Sequence, residues 1–124
     1  ERHIVITGGA SGIGAEMVRA FRAQGAKVGF LDIDGDAGQA VAEETGARFF
    51  ACDVTDIDAL RATLGRIEAE DGPVRVLVNN AGRDDRHEVG SVEPDYWRHM
   101  LALNLDHQFF ATQAVSAGMA GAGK

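Results

Sequence analysis

The sequence has 124 residues, 45% of them hydrophobic and 25% charged, enough for one domain with a core and too few for two. A net charge of -7 at pH 7 excludes nucleic acid and an anionic membrane surface as expected partners. No apolar run is long enough to span a bilayer, no signal-peptide pattern opens the sequence, and the single cysteine, Cys52, excludes an internal disulfide framework and fits a reducing cytoplasm.

Apolar β-branched runs alternate with helical patterns along the whole length. His3–Thr7 reads as a first strand, followed by a glycine-rich stretch and a helix marked by Ile13, Met17 and Phe21 at four-residue spacing. A second strand is predicted over Ala26–Leu31, and Asp36 with Gln39 supplies an N-cap for the helix after it. Ala47–Cys52 is the third strand. Thr55 or Asp56 then caps a third helix carrying Ile57, Leu60, Leu64 and Ile67. Val74–Val78 is the fourth strand, followed by a polar loop, Arg83–Gly90, and a long helical region from Glu93 to Met119.

This order predicts an α/β fold with right-handed crossovers and a parallel sheet covered on both faces. In a doubly wound, Rossmann-type sheet the strands present would be ordered 3-2-1-4, one half plus the first strand of the next. There is no initiator Met, and Gly118 to Lys124 is a glycine-rich exit from a helix. The sequence is therefore expected to be a single Rossmann-type domain, residues 1–124, truncated from a longer protein.

Residues 7–14 read Thr7-Gly8-Gly9-Ala10-Ser11-Gly12-Ile13-Gly14, between a strand and a helix. A helix N-terminus offers unpaired N–H groups and a partial positive charge, a ready site for a pyrophosphate. Gly8, Gly12 and Gly14 would then serve the tight turn, the close approach of the phosphates and helix-against-strand packing. A triphosphate-binding P-loop fails on the letters, because Ala15-Glu16 stands where Lys-Ser/Thr is needed. The common G-x-G-x-x-G fingerprint fails as well, because Met17 occupies its last position. What remains is T-G-x-x-x-G-x-G, with a methyltransferase-type fold as the other architecture that places glycines here.

Asp32 lies eighteen positions past Gly14, at the end of the second strand. An acid about 20 residues beyond the glycines holds the adenosine ribose in dinucleotide folds. Its carboxylate would repel a 2′-phosphate, and the neighbouring Ser11 and Ile33 supply no cation to reverse that preference. The expected cofactor is NAD rather than NADP. The plainer alternative is that Asp32 caps the next turn, as Asp34 and Asp36 do.

With these residues stands a further set: Cys52-Asp53-Val54, Asn79-Asn80-Ala81-Gly82 and Asn104. In order and spacing the whole set resembles the N-terminal half of a short-chain dehydrogenase/reductase of the classical type, over nearly all of the sequence. The resemblance implies that Asp53 hydrogen-bonds the adenine amino group, with Val54 beside the ring. It implies that Asn80, Ala81 and Gly82 line the adenosine ribose side of the cleft, and that Asn79 ties the fourth strand to its neighbours. Ser11, Ile13 and Ile33 join the cofactor-binding set. Asn104 matches the helix asparagine that holds a water in the family's proton relay, and is the one catalytic candidate. Read alone, Asn79-Asn80-Ala81-Gly82 is a tight turn and Asn104 a kink or a buried hydrogen bond.

The family's chemistry is hydride transfer between an alcohol or carbonyl carbon and nicotinamide, with a Ser and a Tyr-x-x-x-Lys pair as orienting and acid/base groups. The only tyrosine here is Tyr96, with Met100 four residues on; the only lysines are Lys27 and Lys124. Ser91 and Ser116 lie in the wrong elements. The 124 residues alone are thus expected to be inactive, and a non-catalytic dinucleotide-binding module is the alternative function.

Asn79 to His87, with Pro94-Asp95-Tyr96-Trp97 and His107-Gln108-Phe109-Phe110, is similar to the subgroup acting on aldoses such as xylose and arabinose, which often has Asn where Arg83 stands. Asp84, Asp85 and His87 would accept sugar hydroxyls, or else form a solvated loop balanced by Arg83 and Arg86. No metal site is expected, and His3, His99 and His107 read as packing or surface residues. The expected partners are a small alcohol, ketone or sugar, and further copies of the chain. Leu101, Leu105, Phe109 and Phe110 carry more apolar surface than one sheet face needs, which predicts a homo-tetramer or homo-dimer.

Overall fold

The computed structural model describes residues 2–123; Glu1 and Lys124, the second of the two lysines noted above, lie outside them. Four parallel strands form one sheet in the order β3-β2-β1-β4: β1 His3–Thr7, β2 Lys27–Asp32, β3 Arg48–Ala51 and β4 Val76–Val78. Around them run α1 Gly12–Ala23, α2 Gly35–Thr45, α3 Ile57–Asp71, α4 Pro94–Leu101 and α5 His107–Gly121. The predicted α/β class and strand order are what the structure has.

Alternation along the strands fills two cores. Ile4, Ile6, Val28 and Phe30 point into the layer with Val18 of α1 and Val41 of α2. Val5, Leu31 and Phe50 point the other way, against Leu60, Leu64 and Ile67 of α3 and Ala111 and Val115 of α5. Burying such a side chain stabilises the fold by roughly 1.5–3 kcal/mol relative to leaving it exposed. The strands read as continuous apolar runs because both faces are covered.

Several boundaries move. The second strand starts and ends one residue later than predicted, so Asp32 is its last residue rather than the residue after it. The third strand loses Ala47 and Cys52, and the fourth shrinks to three residues, with Val74 fully buried in the approach to it. The cap of α2 is Asp34 and not Asp36: Asp34 is extended and its carboxylate accepts the Ala37 N–H, whereas Asp36 already lies in the first helical turn. Asp56, rather than Thr55, caps α3 by accepting the Ala59 N–H.

The long helical region starts at Pro94, one residue after the expected Glu93, which is its N-cap, ends at Gly121 rather than Met119, and is not uniform. Residues Ala102–Asp106 form a π-helical segment between α4 and α5. Two side-chain amides occupy carbonyls of this stretch: Asn104 Nδ2 donates to Met100 and Gln108 Nε2 to the Asn104 carbonyl. Such wide turns occur mostly as short insertions in α-helices, often at functional sites. The polar loop before α4 contains a short 3-10 turn, Val89–Ser91. Among the described residues no helix is long and apolar enough to cross a membrane.

Candidate functional site

The carboxyl ends of the four strands open into one cleft of about 560 Å³. In chain geometry it runs from Asp53 past β3, through Asp32 and the Gly8 turn, to Asn80–Arg83 past β4. The sheet order reverses between β1 and β4, the crevice where open α/β sheets take ligands.

The glycine-rich turn is shaped by what it must avoid. The Gly8 and Gly9 N–H groups both donate to the Leu31 carbonyl, at 2.7 and 3.3 Å, which folds the turn back over β2. Gly8 has a φ of +72°, and a Cβ there would stand 2.9 Å from the Cα of Ala81. A Cβ on Gly14 would drive into the Gly8 carbonyl and come within 2.6 Å of the Asn80 amide. Gly12 is different: its φ is +55°, but its Cβ position faces open space. Backbone conformation requires glycine at Gly12, and close packing requires it at Gly14.

At the head of α1 the backbone N–H groups lack the help found elsewhere. Ser11 is the N-cap residue but makes no side-chain cap bond, and the first turn holds no acid. Both α2 and α3 have a capping aspartate and a second aspartate in the first turn. The α1 terminus therefore keeps its partial positive charge facing the cleft.

Asp32 bridges this turn to the sheet. Its Oδ2 accepts the Ala10 N–H at 3.0 Å and its Oδ1 the Asp34 N–H at 3.0 Å. The plainer reading is thus partly realised, since Asp32 does hold the next turn. An ionised carboxylate has about four acceptor positions, so about two remain free on this cleft-lining residue. Asp53 forms a similar local turn, its Oδ1 accepting both the N–H and the hydroxyl of Thr55.

The far wall is pinned residue by residue. The Thr7 hydroxyl, fully buried, accepts the N–H groups of Asn80 and Ala81, each at 3.0 Å, and Asn80 Nδ2 donates to the Gly8 carbonyl. Buried His107 faces the Ala81 carbonyl with Nε2 at 3.0 Å. Asn104 clamps Arg83 from both sides: its Oδ1 accepts the Arg83 N–H at 2.8 Å and its Nδ2 donates to the Arg83 carbonyl at 3.0 Å. Asn79 reaches the Gln108 carbonyl and Thr112 hydroxyl of α5 rather than a neighbouring strand.

Of the residues expected to hold a cofactor, Gly8, Ser11, Ile13, Asp32, Ile33, Asp53, Val54, Asn80, Ala81 and Gly82 line the cleft. Gly12 and Gly14 do not; they shape the turn from beside and beneath it. Asn104 stands behind Gly82 and Arg83. Thr7, the last residue of β1, ties that strand to the β4 turn, a role no local pattern signals. Arg83, His99 and Leu103 also join the lining without a local signal for it; His99 lies in α4 and Leu103 in the π-helical segment. Cys52 lines the cleft too, and burial pushes its thiol up from the usual cysteine range, which keeps it protonated.

The aldose-type loop is less organised. Arg83 pairs with Asp85 at 3.2 Å, and the His87 ring stacks on Tyr96 with centroids 4.0 Å apart. Asp84 and His87 are exposed. The apolar stripe expected on the long helix is split: Leu101, Leu105 and Phe109 are exposed with Trp97, while Phe110 packs against the core.

The family model for short chain dehydrogenases matches residues 2–124. The chain belongs to the short-chain dehydrogenase family, an oxidoreductase family. It is 42% identical over 96% of its length to the "Probable galactose dehydrogenase GalD" of Rhizobium meliloti, covering 49% of that protein. It is 46% identical over 95% of its length to the D-xylose 1-dehydrogenase of Caulobacter vibrioides, covering 48% of it. The aldohexose dehydrogenase of Thermoplasma acidophilum, solved in ligand-free form, superposes with a TM-score of 0.86 at 31% identity, over 96% of this chain and 44% of that one. The resemblance to the aldose-dehydrogenase subgroup is therefore sound, and the chain spans about half the length of the curated relatives it matches.

Proposed function

We propose that this chain is the nucleotide-binding part of an NAD-dependent oxidoreductase that moves a hydride between nicotinamide and a small alcohol, ketone or sugar. Asp32 carries the reading. Its carboxylate is fixed from two sides by backbone N–H groups and keeps acceptor positions for the two ribose hydroxyls. Each charge-assisted hydrogen bond of that kind contributes about 1.5–3 kcal/mol. A 2′-phosphate would meet repulsion there, and the cleft lining beside Asp32 offers Ser11, Ile13, Ile33 and Asp53 rather than a cation.

The other residues divide the cofactor among them. The uncapped end of α1, opened by Gly8, Gly12 and Gly14, would take the pyrophosphate. Ile13 and Ile33 are 75% and 73% exposed, apolar flanks that an adenosine would cover together with Val54. Asp53 keeps acceptor capacity for the adenine amino group, and Asn80, Ala81 and Gly82 would face the ribose side. Bound nicotinamide would supply the hydride acceptor or donor. Asn104 is the proposed holder of a relay water, because its amide oxygen still has a lone pair beyond the Arg83 bond.

The 124 residues contain no Tyr-x-x-x-Lys pair, so acid/base catalysis would draw on residues outside them, and this stretch alone would be inactive. The names of the relatives, a galactose and a D-xylose dehydrogenase, favour a sugar over other alcohols and disfavour a non-catalytic module. Leu101, Leu105 and Phe109 would be covered in a homo-tetramer or homo-dimer, and the lone buried Cys52 fits a cytoplasmic protein. The test is calorimetric titration of the intact protein with NAD and NADP, followed by an aldose and alcohol panel read by NADH absorbance. NAD is expected to bind at least tenfold tighter, and aldoses to be the better substrates; equal affinity for the two nucleotides would overturn the role given to Asp32.

A further inference from the structure

The far wall of the cleft depends on one buried ring that the reading above does not use. His107, at the start of α5, is fully buried. Its Nε2 lies 3.0 Å from the Ala81 carbonyl, and the N–H of the same Ala81 is held at 3.0 Å by Thr7. The Ala81 peptide is thereby fixed at both ends, from β1 and from α5, within the cleft lining. For Nε2 to meet a carbonyl it must carry the proton, so the neutral ring leaves Nδ1 as a bare acceptor. Nδ1 is buried and has no hydrogen-bond partner.

We propose that His107 is a positioning residue, which in its neutral Nε2–H form holds the Ala81 wall in the shape that accepts the nucleotide. A second proton would place an N–H on Nδ1, which makes no hydrogen bond in the folded structure, and would put a cation in the core with only the Ala81 and Leu103 carbonyls and the Asp106 carboxylate to offset its burial. Burial outweighs those partners, so the charged ring is driven toward water and strains the Ala81 carbonyl contact. Nucleotide binding should therefore fall as the ring charges.

The surroundings support that direction. Burial pushes the His107 imidazolium below the usual histidine range, against the carbonyls of Ala81 and Leu103 and the Asp106 carboxylate, which favour the charged ring. Two cations on neighbouring segments are engaged elsewhere: Arg61 of α3 donates to Gln113 and lies over Phe110, and Arg83 pairs with Asp85. The sign follows from the lowered value. The neutral form dominates at and above the ordinary histidine value of about 6.5, and the loss comes as pH falls through the lower folded-state value.

The inference rests on the nucleotide-binding reading, and one experiment separates the two. The intact protein is titrated with NAD by calorimetry from about pH 8 down to about pH 5, a range that brackets histidine titration. His107→Gln and His107→Leu are titrated beside it, and thermal melting at each pH verifies folding. The parent should lose about tenfold in affinity across the acid limb. His107→Gln, which keeps an N–H donor but cannot titrate, should retain most of the affinity at pH 8 and lack the acid limb. His107→Leu should bind about tenfold more weakly at every pH with a flat profile. A parent that binds no NAD at any pH overturns the nucleotide reading itself. A parent that binds with an acid limb unchanged in His107→Gln, or with no acid limb, overturns the role given to His107, as does parent-like affinity in His107→Leu.

Discussion

Three helices of this fold begin at a sheet edge or turn, and they begin in two ways. At α2 and α3 an aspartate accepts an N–H of the first turn, Asp34 from Ala37 and Asp56 from Ala59, and a second aspartate, Asp36 or Asp58, adds charge beside it. At α1 the cap residue is Ser11 with no side-chain bond, and Gly12, Ile13 and Gly14 follow. The first two helices satisfy their own N-termini. The third leaves its donors and its partial positive charge facing a cleft, which costs intrinsic stability and keeps room for an anion. The difference separates helix ends that the chain satisfies with its own side chains from one that faces the cleft without a side-chain cap.

Gly14→Ala should break the arrangement most severely. The added methyl meets the Gly8 carbonyl and the Asn80 amide, both backbone-anchored. A loss of about 3 kcal/mol in chemical denaturation is expected from such overpacking, with NAD binding by the intact protein abolished. Parent-like melting would mean that α1 has slack beneath it, contrary to its close seat.

Ser11→Asp sharpens the contrast by giving α1 the cap that its neighbours have. Unliganded stability should rise by about 0.5–1 kcal/mol. Affinity for NAD should fall about tenfold, ~1.4 kcal/mol, because the carboxylate competes for the same donors. Stability and affinity moving in the same direction would remove the argument that α1 is kept open for an anion.

The smallest effect belongs to Asp34→Ala. Losing the α2 cap should cost about 1 kcal/mol in unfolding free energy and leave NAD affinity within about twofold. Asp32 is held by the Asp34 backbone N–H, which the substitution retains. A large loss of affinity would show that the α2 terminus also serves the cleft.

Local patterns carried much of this site. Apolar runs such as Ile4-Val5-Ile6 and Val28 to Leu31 are long enough to identify buried parallel strands, and their alternation with amphipathic helices leaves few topologies. Asp32 was legible by its distance from the glycines. Asp34 and Asp36 are both capping residue types, and the extended backbone at Asp34 with its bond to the Ala37 N–H is what separates them. The first strand was legible to the residue, whereas the short fourth strand was overextended; Val74 is buried by α3 and α5 outside the ladder.

The sequence by itself determined the order of elements, the glycine-shaped turn and the acid at the end of β2, because these depend on residue type and on neighbours a few positions away. Tertiary structure alone decided which groups hold the cleft's far wall. Thr7, His107 and Asn104 reach Ala81 and Arg83 across 74, 26 and 21 residues of chain. Contacts of that range follow from strand register and from how the long helical region packs beside the β4 turn. No local pattern specifies those contacts, since residues distant in sequence meet only when the long helical region is packed against the sheet.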